Sequence, residues 1–244
     1  MKPSDINTDL SEKGRDLQGN ELQSNRRLYL QFQVFTGCRD PQPVIEVLEA
    51  SGLETVLYLD ATDPFGIGIA GVHEDPECFT AQWRTLFNDF QFEYMERDPE
   101  TTMFGRTYSI GYENDLDDVL LYRVRRRLAD PDLTWTVWYP LRRSGEFAQL
   151  PEEEQREALM EHGMIGHAFS DAGHAKDIRL ACYGMDRNDN DFVIGLLGRE
   201  LHPLSAIVQT MRKTRQTSEF IDSLGPFFVG RKIWSAPSLL HPVP

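Results

Sequence analysis

The chain has 244 residues, of which 40% are hydrophobic and 11% aromatic, enough for one large domain or two small ones. A formal net charge of -14 at pH 7 repels phosphate backbones and anionic lipid, so neither nucleic acid nor a membrane is expected as a partner. No apolar run of membrane-spanning length and no signal peptide is recognised, and the cysteines (Cys38, Cys78, Cys182) have no metal-site spacing. We expect a cytoplasmic protein with buried, reduced thiols.

The N-terminal segment, residues 1–25, is polar and is predicted to be flexible. The first structural repeat is predicted over residues 26–130. Alternating glutamine and apolar residues predict an opening strand at 28–35. The following elements are a helix at 44–50 closed by Gly52, strands at 55–59 and 67–72, a helix from Pro76 through Phe87, and a strand at 103–110. The predicted order is β-α-β-β-α-β.

The same order is predicted again over residues 131–244. Its elements are strands at 134–141, 178–183, 192–197 and 226–233, with helices at 151–170 and from Pro203. Such units are ferredoxin-like, and two in tandem can cover one another's sheets, which predicts an α+β fold. The seam is expected at 122–132, an arginine-rich stretch that fits a helix equally well.

One histidine in the helix at 151–170 is a candidate metal ligand. Helical spacing puts His162 on the apolar face with Leu159, Ile165 and Phe169, and turns His167 away. Spacing alone favours an ordinary core histidine whose ring nitrogens are satisfied by neighbours.

Two glycines next to this histidine favour a ligand role instead. Gly163 and Gly166 lie in mid-helix, where each costs about 0.5 to 1 kcal/mol relative to alanine. We interpret them as room for something bulky and flat beside His162.

Three motifs in the C-terminal half resemble the chlorite dismutase family. They are WYPLRR (138–143), REALMEHGMIG (156–166), and SEF with GPFFVG (218–220 and 225–230). The resemblance implies two ferredoxin-like repeats in a homo-oligomer, usually a homopentamer. It also implies haem b or iron coproporphyrin as cofactor, with His162 as the iron ligand, and hydrogen peroxide or a small oxyanion as a further substrate.

The resemblance also implies roles for four other residues. Arg179 falls where dismutating relatives carry an arginine over the iron; the alternative is a strand arginine with a surface carboxylate partner. Tyr139 falls where coproheme decarboxylases carry a tyrosine that becomes a radical; the alternative is one more strand residue. Arg143 and Arg125 fall at propionate-binding positions, although Arg143 also fits an ordinary loop charge.

The sequence departs from the family pattern at three places. Gln216 stands where dismutating relatives have a glutamate that accepts a hydrogen bond from the proximal histidine, and a neutral amide gives the iron less electron density. The stretch 174–177 reads as an insertion, and 144–149 lacks aromatic residues expected there.

Three functions remain open from the sequence. The first is peroxide-dependent decarboxylation of iron coproporphyrin in haem b synthesis, which Tyr139 favours. The second is chlorite dismutation, which Arg179 favours and Gln216 disfavours. The third is a non-catalytic haem-binding or haem-free relative.

Overall fold

A computed structural model of the chain describes residues 7–240. Its strands are β1 (Glu12–Arg15), β2 (Glu21–Ser24), β3 (Tyr29–Thr36), β4 (Thr55–Asp60), β5 (Ile67–His73), β6 (Glu96–Arg106), β7 (Trp135–Arg143), β8 (Lys176–Ala181), β9 (Phe192–Gly198), β10 (Ile221–Leu224) and β11 (Phe228–Ser235). Its α-helices are α1 (Gln42–Ser51), α2 (Gln82–Leu86), α3 (Arg123–Ala129), α4 (Gly145–Gln149), α5 (Glu152–Asp171), α6 (Leu201–Met211) and α7 (Arg215–Phe220).

The strands of the two halves join into one closed sheet. The order β7-β11-β4-β5-β3-β6-β8-β9 returns from β9 to β7, every pairing is antiparallel, and β10 adds to β7 outside this ring. Each half contributes the order β-α-β-β-α-β, so the predicted α+β fold with two ferredoxin-like repeats is confirmed. None of the described helices is both long enough and apolar enough to cross a membrane.

The interior of this barrel is packed with aromatic side chains. Phe32 stacks on Trp138 at 5.2 Å between ring centroids and meets Phe228 edge-on at 4.9 Å. Gly195 makes room for this packing, because a Cβ there would lie 2.6 Å from the Trp138 ring. Since strand side chains alternate between faces, the residue after Trp138, Tyr139, points outward to the helices. The candidate site therefore lies on the outer face of the barrel.

The N-terminal segment differs from the prediction. The part before residue 7 lies outside the described residues, but β1 and β2 pair as a hairpin. The Glu12 carboxylate anchors it by accepting hydrogen bonds from the backbone N–H of Ser109 at 2.8 Å and from the Arg106 guanidinium at 3.0 Å. Polar composition predicted flexibility because it cannot reveal partners some 95 residues away in sequence.

The predicted second helix is also different. Instead of one helix from Pro76 through Phe87, a 3₁₀ turn at Pro76–Phe79 precedes the five-residue α2. The break allows Trp83 to bury its indole against Gly71, where a Cβ would lie 2.0 Å from the ring. Beyond these elements, the predicted seam at 122–132 contains α3.

Candidate functional site

The candidate site lies between α5 and the outer face of β7, β9 and β8. Tyr139 and Arg179 both pair with Ile194, which places the three residues in one row across adjacent strands. At the usual strand spacing, the Cα atoms of Tyr139 and Arg179 are about 10 Å apart. Ile165 and Phe169 of α5 pack in the same apolar cluster as Tyr139, so α5 covers this row.

His162 lies on the inner face of α5, as predicted. The inner stripe runs through Ala158, which is buried, and through His162, Ile165 and Phe169, which are half-buried, whereas Leu159, which we expected on it, is 41% exposed. The expectation for Leu159 is wrong by one position, because the stripe is centred on the turn that includes Ala158. A Cβ on Gly163 would meet no atom outside its own helix turn within 4 Å, so none of residues 7–240 fills the space beside that glycine.

Burial and nearby charge keep the His162 imidazole neutral. Burial is the larger cause, and the positive charges of Arg179 and Arg143 add to it; together they lower the pKa from 6.5 to about 4. A neutral imidazole is the form that binds a metal ion.

The pKa of His162 makes the apoprotein sensitive to acid. The unfolded chain binds a proton near pH 6.5 and the folded chain only near pH 4, so the free energy of unfolding falls as the pH drops through this window. We expect a loss of at most about 3 kcal/mol that is reduced in His162→Gln. Urea unfolding of both proteins at pH 7 and pH 4.5 measures it; equal losses would contradict the burial of this imidazole.

Unpartnered buried polar atoms are concentrated at this site. Of six such side-chain atoms among the described residues, four belong to Arg143 (Nε), Ser144 (Oγ), His162 (Nδ1) and Gln216 (Oε1). Buried polar groups are normally hydrogen-bonded, and each unmade bond costs about 1 to 3 kcal/mol. The cluster therefore has the character of a binding site whose ligand supplies the missing partners.

Arg143 is held in place by aromatic rings and not by a carboxylate. Its guanidinium carbon lies 4.4 Å from the Phe147 ring centroid and 4.9 Å from that of Phe192, and its backbone N–H donates to Asp191 at 2.8 Å. Among residues 7–240 no ion pair involves its guanidinium. A fixed, uncompensated guanidinium fits a ligand carboxylate.

Arg179 lies on the same outer face of the barrel as Tyr139, but its guanidinium already has a partner. Its Nε lies 3.0 Å from an oxygen of Asp177, and 53% of its side chain is exposed. The other oxygen of Asp177 lies 3.3 Å from Arg127 of α3, so one carboxylate serves two arginines. The alternative of a strand arginine with a carboxylate partner describes this geometry, and the predicted anion-binding role remains a prediction.

Tyr139 is buried between the outer face of the barrel and α5. Its ring stacks on Phe227 with centroids 4.7 Å apart, and burial raises the pKa of its hydroxyl above the usual 10, with Asp177 adding to the effect. The phenol therefore carries its proton at any ordinary pH. It is positioned to give up a hydrogen atom, not to act as a phenolate.

Gln216 lies on α7, which packs against α5. Its side chain is 5% exposed, and its amide oxygen is one of the unpartnered atoms. Gln216, which we predicted to stand in place of a family glutamate, is thus buried on α7, the helix that packs against the one carrying His162.

Arg125 is not part of this site, and its predicted role in propionate binding is wrong. Its guanidinium forms a two-pronged ion pair with Glu54, with Nε to Oε1 at 2.9 Å and an N–H to Oε2 at 2.8 Å. Both side chains are nearly buried, at 7% and 12% exposure. Arg125 joins α3 to the first repeat, and its charge is already matched.

Removing Arg125 should therefore affect stability and not ligand binding. Arg125→Met leaves Glu54 buried without a partner, which we expect to lower the free energy of unfolding by about 3 to 5 kcal/mol. The double variant Arg125→Met/Glu54→Leu should recover most of the loss. Urea unfolding measures both; an unchanged midpoint in the single variant would show that the pair contributes nothing.

Three residues at the site were not predicted from the sequence. Tyr108, from the end of the first repeat, is near the charges of Arg179 and Arg143, both of which act on its hydroxyl. Ser144 contributes an unpartnered hydroxyl, and Asp177 was noted only as part of an insertion. The sequence gives no local signal for Tyr108, because only strand pairing between distant segments brings it to the site, whereas Ser144 could have been found as the neighbour of Arg143.

A lone histidine does not make a metal site by itself. Within residues 7–240 no group of three or more histidine, cysteine or acidic side chains could hold a metal ion. An iron porphyrin brings four nitrogen ligands and needs only one from the protein. The unpartnered Nδ1, the free guanidinium of Arg143 and the open space at Gly163 fit such a group.

Part of this chain is similar in sequence to known proteins. Residues 119–233 match the family model described as chlorite dismutase. A coproheme decarboxylase from Mycolicibacterium smegmatis is 32% identical over 109 residues, a match that spans 43% of this chain and only 43% of that relative.

Solved structures match over most of the chain. A haem-binding protein from Thermus thermophilus has a TM-score of 0.66 at 17% identity, covering 86% of this chain and 92% of that one. A mutant chlorite dismutase from Candidatus Nitrospira defluvii has a TM-score of 0.65 at 13% identity, covering 89% and 95%. At these identities the likeness establishes the fold. Residues 119–233 thus match the chlorite dismutase family model, on a chain that has the fold of solved structures of chlorite dismutases.

Proposed function

We propose that this chain binds iron coproporphyrin between α5 and the barrel and decarboxylates two of its propionates with hydrogen peroxide. The observation that carries the proposal is the cluster of unpartnered buried atoms on Arg143, Ser144, His162 and Gln216. Two of the four, His162 and Arg143, are residues that the sequence predicted to contact a porphyrin, and a third, Gln216, was predicted to lie behind His162. The 32% identity to a coproheme decarboxylase over 109 residues supports it.

His162 would hold the iron through its ring. Its pKa of about 4 keeps the imidazole neutral, and it lies with Ala158 and Ile165 on the side of α5 that packs against the barrel. The bound iron porphyrin supplies oxidising power when it meets peroxide, while the protein supplies position and charge.

Arg143 and Ser144 would receive a propionate. The guanidinium, clamped between Phe147 and Phe192, offers donors in a fixed plane, and the adjacent Ser144 hydroxyl offers one more. Because no acid of the described chain neutralises Arg143, the carboxylate of a propionate would complete the ion pair.

Tyr139 would be the residue that removes a hydrogen atom from the propionate chain. Its phenol keeps its proton, so the group it can give and take back is a hydrogen atom. Phe227 shields one face of the ring from water. The charge of Arg212 opposes the effect of burial on the pKa of Tyr139.

The reaction balances with one peroxide for each vinyl group. A propionate loses carbon dioxide and one hydrogen with two electrons, leaving a carbon–carbon double bond. Hydrogen peroxide takes up the two electrons, the proton released from the propionate chain and one proton from solvent, and becomes two water molecules. No further reductant or oxidant is required.

The direct test is product analysis. The purified protein is incubated with ferric coproporphyrin and peroxide, and the porphyrins are separated by chromatography with mass spectrometry. We expect a product that has lost one carboxyl group and then a product that has lost two, in step with peroxide consumed. Intact coproporphyrin after many equivalents of peroxide would rule out this function.

Chlorite dismutation is the second candidate because Arg179 lies on the same outer face of the barrel as Tyr139. Two observations count against it: Asp177 already pairs with Arg179, and Gln216 is neutral. An oxygen electrode separates the two functions, since sustained oxygen release on adding chlorite to the haem-loaded protein would favour dismutation. The homopentamer implied by the resemblance remains a prediction, which sedimentation analysis would test.

A further inference from the structure

One carboxylate on β8 is shared by two arginines. Asp177 lies near the start of the strand, with one oxygen 3.0 Å from Nε of Arg179 and the other 3.3 Å from Nη1 of Arg127. Ile178 and Leu180 belong to the barrel core, so the alternate residues Asp177 and Arg179 stand together on the outer face. This ion pair therefore lies on the face of the sheet that α5 covers.

Arg127 fixes the position of Asp177 from α3. Its guanidinium donates to the backbone oxygen of Asp177 as well as to the carboxylate. The Arg127 side chain is 24% exposed, against 53% for Arg179. An exposed ion pair contributes little when both side chains must be ordered to form it, but this carboxylate is already held from the other side. Asp177 is thus a fixed negative charge beside the more exposed arginine.

The charge of Asp177 also acts on the groups of the proposed site. Burial is the largest influence on the pKa of Tyr139 and on that of His162; the Asp177 charge raises both, adding to burial at Tyr139 and opposing it at His162. Arg143, by contrast, forms no ion pair within residues 7–240. The site therefore contains one arginine that a carboxylate already occupies and one that is available to a ligand.

A small anion would have to compete with Asp177 for the guanidinium of Arg179. Arginine binds oxyanions through its charge and its N–H groups, and a neighbouring carboxylate weakens the attraction by neutralising that charge. Hydrogen peroxide is neutral, so this competition does not affect it. A propionate at Arg143 meets no such competitor.

We propose that Asp177 is a specificity-determining residue: by occupying Arg179 it disfavours small oxyanions at the site, while neutral peroxide and a propionate at Arg143 are unaffected. The proposal rests on the proposed function for the identity of the reactants. The effect of Asp177 on small anions belongs to the protein with or without porphyrin, so both forms are tested.

The test uses variants that separate the charge of Asp177 from its shape and from its partner. Asp177→Asn removes the charge and keeps the size of the side chain. Arg179→Gln removes the guanidinium, and the double variant Asp177→Asn/Arg179→Gln shows whether Asp177 acts through Arg179. Asp118→Asn is the matched control, because Asp118 also serves two arginines, Arg123 and Arg126, neither of which lies on β8.

In the porphyrin-free protein the probe is chloride, followed by chlorine-35 NMR. The chloride line broadens when chloride exchanges with a site on the protein, so the excess line width measures anion binding. We expect Asp177→Asn to increase the excess width at least about twofold over the wild type, and Asp118→Asn to leave it unchanged. The double variant should match Arg179→Gln. Equal widths in the wild type and Asp177→Asn would overturn the proposal.

In the protein loaded with haem b the probes are nitrite and, as a neutral ligand, imidazole. Spectral titration of the ferric protein gives the Kd of each. Asp177→Asn should bind nitrite about 3- to 10-fold more tightly and imidazole within about twofold of the wild type. A gain in nitrite affinity that persists in the double variant would overturn the proposal, because the charge would then act on another group.

The two forms of the protein keep this proposal separate from the proposed function. If the wild type binds no iron porphyrin, the proposed function fails by itself. The chloride line widths still decide whether Asp177 withholds Arg179 from small anions.

Discussion

His162→Ala should weaken the binding of ferric coproporphyrin at least about 100-fold. The substitution removes the imidazole that we propose as the iron ligand, and changes in residues that only support a metal ligand already cost about 10- to 100-fold. The helix should persist, since alanine is the best helix former and His162 is half-buried. Titration followed by the Soret band measures the change in affinity.

The control for this variant is on the same helix. His167→Ala changes an exposed histidine five residues further along α5, on the face turned away from the barrel. It should bind porphyrin as the wild type does. Equal affinities for the wild type and His162→Ala would mean that His162 is an ordinary core histidine and that the iron, if bound, has another ligand.

Tyr139→Phe should keep porphyrin affinity within about twofold and lower the decarboxylation rate by about 100-fold or more. The ring that stacks on Phe227 is preserved, so packing changes little, while the only hydrogen atom the phenol can transfer is lost. A fall in kcat at constant binding is the signature of a group that acts in the reaction alone. Rapid-quench product analysis measures the rate.

Tyr183→Phe is the matched control for Tyr139→Phe. Tyr183 packs edge-on against Phe192 with centroids 5.3 Å apart and is 58% exposed, so it lies near the site without being buried in it. Its variant should react at the wild-type rate. If Tyr139→Phe also formed product at that rate, the phenol would have no part in the reaction.

Local patterns in the sequence predicted most of the fold. Alternation along 28–35 and the acidic first turn of α5 are short-range signals, and both elements are present. The hairpin β1–β2 was missed because its anchor, Glu12, is bonded to residues far along the chain. The closure of the barrel from β9 back to β7 likewise depends on pairing between distant segments.

The same division applies to the site. The helical spacing placed His162 on the inner face of its helix, and the motif resemblance pointed to Tyr139 and Arg179. In the structure, His162 lies on α5 and the other two lie on the strands that face it. Arg125 was misassigned, because its partner Glu54 is 71 residues away and no local signal shows that its charge is already matched. Asp177 was noted only as extra length, although its carboxylate pairs with two arginines.

The central claim is that the space between α5 and the barrel is an iron porphyrin site. The most direct test is titration of the purified wild-type protein with ferric coproporphyrin, read by absorption and by thermal unfolding. We predict a saturable Soret change complete at one porphyrin per chain, with a rise in unfolding temperature along the same curve. A spectrum that stays that of free porphyrin, with no thermal stabilisation, would contradict the claim.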